Sequence, residues 1–451
     1  MERTPKAAIV ATPSVLVFAE TLSLRLHFVL DWLLKERLQL SYSFTQNKAE
    51  AAAHPHCISY GFLENAASVH ASGFLEETAI SDQEIRCEEW QGLFTLFHDS
   101  SSPCDIQFDM LAGIFFLLSR YEEYQGFEPD EHGRFPAEAS LLFKNGVLER
   151  PIVDEWVEAF RLFLEDIWKA EIPVKAFSYQ PSYDIDIAWS FKHKGWKRWL
   201  GGALREISSG KISDFSTRMR VLRGKEDDPY NAFTWLASLH FSNNIQPIWF
   251  YLAALKPSRF DKNISPQNRQ MIELIRAFAE GAKTGIHPSY YSSEKPALLE
   301  EEKKMMERIL RKPVRISRQH FIRLRFPKTY QRLIQSDIQE DYSMGYPNQL
   351  GFRAGTGSSF LWYDLSKEET SNLRIHPFVF MDTAAHYHLV LSAEEAFERL
   401  RLMAEKLKAV NGELITVMHN FSLGTDKEWI GWREQYERFL KQMSRFEDLK
   451  I

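Results

Sequence analysis

Cysteine is scarce in this sequence, and its scarcity excludes two kinds of scaffold. The 451 residues include only Cys57, Cys87 and Cys104. An odd number without paired spacing argues against both a zinc knuckle and a disulfide framework. With 44% hydrophobic and 14% aromatic residues, the chain has ample material for buried interiors. We therefore expect a globular protein of a reducing compartment.

The sequence also lacks a long apolar run and an excess of positive charge. The apolar stretch 18–34 is interrupted by charged residues, which is typical of an amphipathic helix and not of a membrane span. Residues 1–10 show no sustained apolar segment before a small-residue cleavage site, so we predict a cytoplasmic protein. A net charge of -6 and a pI near 6.2 argue against nucleic acid as the main partner.

The first part of the chain, residues 1–175, is predicted to be a smaller mixed α/β domain of unknown role. A strand is expected near residues 8–11. Apolar periodicity predicts helices over 22–38, 109–124 and 153–168. Pro173 breaks the last of these helices, so we place a domain boundary near residue 175.

From residue 176 to residue 451, strand-like and helix-like segments alternate. Strands are predicted over 176–187, 245–253, 285–289, 314–324, 378–382 and 414–419. Helices are predicted over 231–241, 265–280, 296–311, 330–337, 393–410 and 429–443. This alternation predicts an α/β fold, and a length of roughly 270 residues is close to the usual size of a β/α barrel.

The segment 191–225 departs from this alternation because of its charge. It contains ten lysine or arginine residues against two acidic residues, with Trp196 and Trp199 among them. A basic helix with interfacial tryptophans can rest on an anionic membrane surface or hold an anionic substrate near a site. The same composition also suits a solvated helical insertion that only covers the barrel.

Two carboxylates, Asp184 and Asp186, stand one residue apart at the end of an apolar segment. In a strand, both side chains would point to the same side of the sheet. Two close carboxylates are costly unless a cation lies between them or one of them is protonated. The pair therefore indicates a metal site, although strand-end residues that cap a turn would give the same pattern.

Two histidines and one arginine follow at later segment ends. His287 and His320 lie on successive predicted strands, and neutral imidazole is a standard ligand for zinc and similar ions. Arg353 lies in the glycine-punctuated loop 351–357, which lacks the lysine and the helix of a phosphate-binding loop. We expect Arg353 to pair with Asp184 and to keep it ionised. Singly, each of these residues also fits a purely structural role.

A last histidine, His419, ends the strand predicted over 414–419, and Asp382 ends the strand before it. A histidine tuned by a carboxylate can donate a proton to a leaving amine, and Asp382 is the expected carboxylate. Side chains at the strand ends of a β/α barrel converge on one mouth. Together these acids, histidines and arginine indicate the site of a metal-dependent hydrolase.

Residues 176 to about 440 resemble the polysaccharide deacetylase family, the NodB-homology or carbohydrate esterase family 4 proteins. The segment 182–186 is similar to its Thr-Phe-Asp-Asp-Gly motif, with one residue between the acids. His287 resembles the start of its His-(Ser/Thr)-x-x-His motif, and 353–357 resembles Arg-x-Pro-x-Gly without the proline. The resemblance implies a distorted (β/α) barrel that removes acetyl groups from N-acetylated sugars with a metal-bound water.

The resemblance also implies roles for individual residues. Asp184 would be the general base and Asp186 and His287 would be metal ligands. His419 would be the general acid, tuned by Asp382. Arg353 would hold the base. The metal would be zinc, with cobalt or nickel as alternatives.

One position departs from the family pattern. Tyr291 stands where the second histidine of the second motif belongs. We expect His320 to replace that ligand, because strand order places it nearby and a subgroup of deacetylase-like proteins resembles this chain around it. The first domain, with Gly133 to Pro136, looks like one that precedes this subgroup in Bacteroidetes-type bacteria.

The sequence therefore predicts a metal-dependent N-deacetylase acting on an N-acetylated sugar or glycan, with peripheral membrane contact through 191–225 as a further hypothesis. Two alternatives to this prediction remain open. The first is a degenerate glycan-binding or scaffold protein that has lost its metal. The second is an amidase that acts on another non-peptide C–N bond.

Overall fold

The computed structural model of the protein describes residues 14–210 and 212–448. The strand predicted near residues 8–11 lies outside the described residues. Among the described residues, none of the helices has both the length and the apolar character required to cross a bilayer.

The first part of the chain forms a parallel sheet with helices and a hairpin around it. Its strands are β1 (Val15–Ala19), β2 (Tyr42–Thr45), β3 (Cys57–Tyr60) and β4 (Ala67–Val69), followed by the hairpin β5 (Cys87–Trp90) and β6 (Leu93–Leu96). Its helices are α1 (Leu24–Leu30), α2 (Lys48–Ala53), α3 (Met110–Leu118), α4 (Leu141–Lys144) and α5 (Ile152–Trp168). The parallel strands lie in the order β2-β1-β3-β4.

The helices predicted for this part are present, but the end of one of them differs from the prediction. Helix α1 continues as a π-helical segment over Asp31–Arg37, and α5 matches the prediction over 153–168. Helix α3 begins where the Asp109 side chain accepts a hydrogen bond from the Ala112 amide. It ends at Leu118 and not near 124, because Arg120 adopts a left-handed backbone with φ of 56°. All nine residues of α3 are buried, so this helix forms the centre of the first part.

The second part contains a nine-stranded sheet within the described residues. Its strands are β7 (Ser178–Ile185), β8 (Ile248–Leu252), β9 (Lys283–His287), β10 (Ile316–Ser317), β11 (Glu340–Asp341), β12 (Phe360–Asp364), β13 (Glu369–Ile375), β14 (Phe380–Met381) and β15 (Glu413–His419). The spatial order is β12-β13-β11-β10-β9-β8-β7-β15-β14. All neighbours are parallel except β12 and β13, which pair as an antiparallel hairpin.

Helices connect these strands, as the alternating pattern predicts. They are α6 (Gly195–Ser208), α7 (Ile212–Leu222), α8 (Phe233–Ser242), α9 (Arg269–Ala279), α10 (Pro296–Leu310), α11 (Lys328–Gln335), α12 (Ala393–Ala409) and α13 (Trp432–Asp448). Helix α12 carries a capping box between Ser392 and Glu395, which satisfies amide groups at its start. Helices α6 and α7 form the basic segment 191–225.

The strand ladder of the second part is open where a closed barrel was expected. Strands β12 and β14 lie at its two edges in the described residues. The Phe378 amide donates a hydrogen bond of 3.0 Å to the Met344 carbonyl, so the segment before β14 approaches the segment after β11. The mixed α/β architecture with a parallel sheet is confirmed, whereas the ladder does not show closure.

The strand predicted over 314–324 is much shorter than expected. Only Ile316–Ser317 pairs as β10, and the chain then turns, because Phe321 and Ile322 have φ of 60° and 52°. The β12–β13 hairpin has no counterpart in the prediction. One continuous set of buried hydrophobic residues runs through both parts of the chain. The boundary proposed near residue 175 falls between α5 and β7.

Candidate metal centre

The parallel strands bring the predicted polar residues to one edge of the large sheet. Asp184 is near the end of β7, His287 ends β9, and His419 ends β15. His419 is in register with Asp184 across the β15–β7 pair. Carboxyl ends of parallel strands share one edge, so three segments far apart in sequence place their functional groups side by side.

Asp186, His287 and His320 form a cluster that could hold a metal ion. One ligand atom from each lies within 4.8 Å of the other two. The His287 Nε2 is 3.2 Å from Asp186 Oδ1, and the His320 Nε2 is 3.4 Å from Asp186 Oδ2. One carboxylate and two imidazoles are a common donor set for zinc and related divalent ions. Tyr291 is 39% exposed and is not part of this cluster.

The hydrogen bonds of the two histidines suit such an ion. The His287 Nδ1 lies 2.6 Å from the Arg318 carbonyl, which can only accept, so that nitrogen carries the proton. The His320 Nδ1 lies 3.1 Å from the Asp261 carboxylate. The Nε2 atom of each ring therefore faces Asp186 and could bind an ion in exchange for a proton, the arrangement usual for metal-binding histidines. Asp186 Oδ1 is buried and has no hydrogen-bond partner, as expected of an atom placed to bind a cation.

The pKa values of the cluster show that its carboxylates and histidines stabilise one another's charged forms. Burial opposes ionisation of Asp186, but His320 and His287 outweigh it and hold the pKa of Asp186 well below its ordinary value. Burial lowers the pKa of His320, yet the Asp186 and Asp261 carboxylates raise it to about 9. Burial likewise disfavours charge on Asp261, and hydrogen bonds from His320 and Ser258 still bring its pKa down to about 2. A bound cation would replace the positive charge that these protons supply.

Asp184 is held by an arginine, but by a different one from that predicted. Arg318 is fully buried, and its Nη1 donates a hydrogen bond of 2.8 Å to Asp184 Oδ1. Its Nη2 donates to Ser182 Oγ at 2.8 Å and its Nε to the Tyr342 carbonyl at 2.9 Å. Three bonds and the face of Phe250, 4.3 Å away, fix this guanidinium. The carboxylate of Asp184 is therefore oriented by a rigid partner.

The prediction that Arg353 orients Asp184 is wrong. Arg353 is buried next to the turn that follows α3, where its Nη2 and Nε donate to Glu123 at 2.5 and 2.8 Å. Its Nη1 donates to the Gly345 carbonyl at 3.0 Å. Arg120 donates to the Arg353 carbonyl and, at 2.8 Å, to Glu123. Burial opposes the ionised form of Glu123, but Arg353 and Arg120 hold its pKa below the ordinary value. Arg353 thus joins the two parts of the chain.

We expect Arg353→Met to destabilise the protein by about 3–5 kcal/mol, because it leaves a buried carboxylate with one of its two arginines. Urea unfolding measures this. The matched control is Arg374→Met, which removes a half-buried pair with Glu36 at 2.8 Å and should cost no more than about 1 kcal/mol. If the two variants were equally stable and only Arg353→Met lost activity, Arg353 would have a role in the candidate site after all.

Arg318 had a signal in the sequence that was not used. It stands two residues before His320, and residues two apart in a strand point to the same side. Both side chains do reach the same edge of the sheet, although the strand itself ends at Ser317. The glycine-punctuated loop 351–357 favoured Arg353 instead.

His419 and Asp382 make the predicted contact. The His419 Nδ1 lies 2.6 Å from Asp382 Oδ1, and the His419 amide donates 2.7 Å to Asp382 Oδ2. Ser422 also donates to Asp382. The other ring nitrogen, Nε2, is 3.6 Å from Asp186 Oδ2, so it points at the cluster. Burial lowers the pKa of His419, but Asp382 and Asp186 raise it well above the ordinary value, and the ring holds a proton.

A cavity of about 250 Å³ opens onto these groups, and the first part of the chain supplies one of its walls. Glu131, His132 and Arg134 line it together with Asp186. The Arg134 Nη1 donates 2.7 Å to the Phe321 carbonyl, which fixes this wall to the loop that carries His320. The sequence contained no indication that residues 131–134 reach the site.

Comparisons with known proteins give one family match and several structural matches. A family of unknown function, DUF7033, matches residues 15–169. No curated protein matches the chain. Solved structures are similar to the chain at low identity. A putative polysaccharide deacetylase from Mycobacterium smegmatis is 12% identical with a TM-score of 0.40, over 61% of this chain and 86% of that one.

Two further structures are similar to the same extent. A mutant of BA3943, a pseudoenzyme of the CE4 family, is 10% identical with a TM-score of 0.31, over 64% of this chain and 69% of that one. Puue allantoinase is 12% identical with a TM-score of 0.37, over 61% of this chain and 90% of that one. The function proposed for this protein rests on the geometry of the candidate metal centre alone.

Proposed function

We propose that the protein is a metal-dependent hydrolase that removes the N-acetyl group of a sugar or glycan. The observation that carries this proposal is the arrangement of Asp186, His287 and His320 around one point, with Asp184 and His419 facing it. A divalent cation, most simply zinc, would be held by the first three residues and would supply polarisation of the acetyl carbonyl and activation of water.

The two flanking residues are placed as a base and an acid for the hydrolysis of an amide. Asp184 is paired with Arg318, which fixes the direction of its carboxylate toward the cluster, so it can accept the proton of the attacking water. His419 holds a proton on the side of the cluster, because Asp382 binds its other nitrogen. It can deliver that proton to the departing sugar nitrogen. An acid and a base with opposite charge states on one cavity are typical of such sites.

The cavity supports a small polar substrate. Its volume of about 250 Å³ suits one sugar ring with its acetamido group at the cluster. Residues of the first part of the chain, Glu131 to Arg134, are positioned to contact the rest of such a ligand. We propose that this is how the first domain contributes to the choice of substrate.

Acetate release tests the proposal. The full chain, loaded with zinc, cobalt or nickel and checked for metal content, would be incubated with mono- and oligosaccharides that carry N-acetyl groups. We expect acetate from at least one of them, and none from the protein stripped with a chelator. Full metal occupancy without acetate from the whole panel would sink the deacetylase assignment. A protein that takes up no metal would favour a degenerate binding protein.

A further inference from the structure

Helix α6 presents an apolar stripe to the outside of the molecule. Trp196, Leu200, Leu204 and Ile207 are between 42% and 71% exposed. Their spacing of four, four and three residues places them on one side of the helix. Large apolar side chains that are exposed singly are common, but a continuous stripe of four is a sign of an interaction surface.

Helix α7 extends this surface. Ile212, at its start, is 71% exposed, and Leu222, at its end, is 40% exposed. The two helices lie close together, since a Cβ atom on Gly202 would come within 2.6 Å of the Arg218 guanidinium. Arg218 itself is buried, with its guanidinium 4.6 Å from the ring centroid of Phe191. The two helices are therefore packed together as one unit.

The charge of this unit is opposite to that of the whole chain. Residues 191–225 carry ten lysine or arginine residues against two acidic residues, while the chain has a net charge of -6. Arg223 and Lys225 are exposed near the end of α7, whereas Arg220 is paired with Glu226 at 2.6 Å. Apolar side chains flanked by cationic ones are complementary to an anionic phospholipid bilayer, where the apolar groups enter the interface and the cations meet the headgroups.

The unit stands at the same edge of the sheet as the candidate metal centre. Its two ends are tied together by Asp228, whose carboxylate accepts hydrogen bonds from the amides of Ser190, Phe191 and Lys192 at 2.7 to 3.0 Å. The chain enters it four residues after Asp186.

A second contact joins the unit's base to the strand that carries His419. The Asn420 side chain donates to the Ile187 carbonyl at 3.1 Å and to the Tyr230 carbonyl at 2.8 Å. Lys427, farther along the same loop, donates to Ser213 of α7 at 3.0 Å. The base of the unit is therefore in contact with the loop after His419, whose Phe421 lines the cavity.

We propose that helices α6 and α7 dock the protein on an anionic phospholipid bilayer, with the stripe of Trp196, Leu200, Leu204 and Ile207 in the membrane interface. The proposal is independent of the reaction that the metal centre performs.

Vesicle flotation with the full chain tests this docking. We expect the protein to float with vesicles of phosphatidylcholine and phosphatidylglycerol, to stay unbound with phosphatidylcholine alone, and to dissociate as the salt concentration rises. Binding to neither kind of vesicle would overturn the proposal. So would equal binding to both, since the basic residues would then play no part.

Variants test whether vesicle binding depends on the apolar stripe or on nonspecific adsorption. Leu200→Glu with Leu204→Glu should reduce the vesicle-bound fraction by more than about tenfold, and Arg223→Gln should weaken binding about fivefold. The matched control is Phe241→Glu on α8. Phe241 is 90% exposed but lies outside the stripe, so this variant should bind vesicles as the wild type does. Circular dichroism confirms that each variant is folded.

Another occupant of the stripe would give a different result. If the stripe served a second copy of this chain, sedimentation velocity without lipid would show a concentration-dependent dimer that Leu204→Glu abolishes. That outcome, or unchanged flotation of the Leu200→Glu and Leu204→Glu double variant, would contradict docking on the bilayer.

Discussion

Replacing Asp186 with alanine should remove the divalent cation from the purified protein and reduce acetate release to background. Both oxygens of this carboxylate face imidazole nitrogens, at 3.2 Å from His287 and 3.4 Å from His320. The variant keeps two neutral donors and loses the only anion of the cluster. Loss of a residue that hydrogen-bonds to a metal ligand typically lowers metal affinity about 10–100-fold. Because Asp186 is itself a proposed ligand, we expect its loss to lower the affinity for zinc by more than that.

Asp261 provides the matched comparison. It is a buried carboxylate that contacts His320 through the opposite nitrogen, so Asp261→Asn disturbs the orientation of one ligand and leaves all three ligands in place. Its zinc affinity should fall about 10–100-fold, and activity should return at high zinc. Asp186→Ala should not be rescued by zinc at any concentration.

Elemental analysis and thermal unfolding distinguish these outcomes. A ligand that binds only the folded state raises the unfolding free energy, by about 2.7 kcal/mol at 100 times its dissociation constant. The wild type should therefore melt at a higher temperature with zinc, and Asp186→Ala should not. An Asp186→Ala protein that still carries one equivalent of metal would show that the three-residue cluster is not the binding site.

The sequence predicted this edge of the sheet well because strand ends follow a simple rule. Apolar segments that end in Asp184, His287 and His419 were identified as parallel strands, and carboxyl ends of parallel strands lie together. No pairwise contact had to be known for that conclusion. The pairing of His419 with Asp382 was predicted on the same basis, because both follow neighbouring strands.

The sequence could not show which of two arginines reaches Asp184. Arg318 and Arg353 are both fully buried and both are bound to a carboxylate. What separates them is the path of the chain after β11 and the turn that follows α3, which brings Glu123 to Arg353. Long-range contacts of this kind depend on packing between the two parts of the chain, and local pattern does not encode them.

Backbone geometry explains the other differences. Helix α3 ends early because Arg120 adopts a left-handed conformation that is rare for a residue with a side chain. The strand predicted over 314–324 ends at Ser317, and a left-handed backbone at Phe321 turns the chain away. Long-range contacts accompany both turns. Arg120 donates to the Arg353 carbonyl, and the turn at Phe321 leaves His320 facing the cluster.

Replacing Asp184 with asparagine should lower kcat by about 10²–10⁴-fold and leave the metal bound. Asparagine has nearly the same shape and can still accept the hydrogen bond from Arg318, but it cannot take a proton from water. Asp184 Oδ2 is 3.9 Å from the His287 Nε2, farther than Asp186, so the cluster keeps its three donors. Metal content should therefore match that of the wild type.

Arg318 gives the second half of this prediction. Arg318→Met removes the guanidinium that orients the Asp184 carboxylate, so kcat should fall toward the value of Asp184→Asn. Arg318→Lys should recover little, because one ammonium cannot replace donors directed at Asp184, Ser182 and the Tyr342 carbonyl. Combining Arg318→Met with Asp184→Asn should cost little more than either change alone, since both act on the same proton transfer.

Arg353→Met is the control that separates catalysis from folding. It should lower the unfolding free energy while the folded, metal-loaded protein retains its kcat, because its partner Glu123 lies in the turn that follows α3. The measurement is a paired determination of kcat and metal content for the three arginine variants. A full loss of kcat in Arg353→Met with wild-type activity in Arg318→Met would show that the wrong arginine has been assigned to the base.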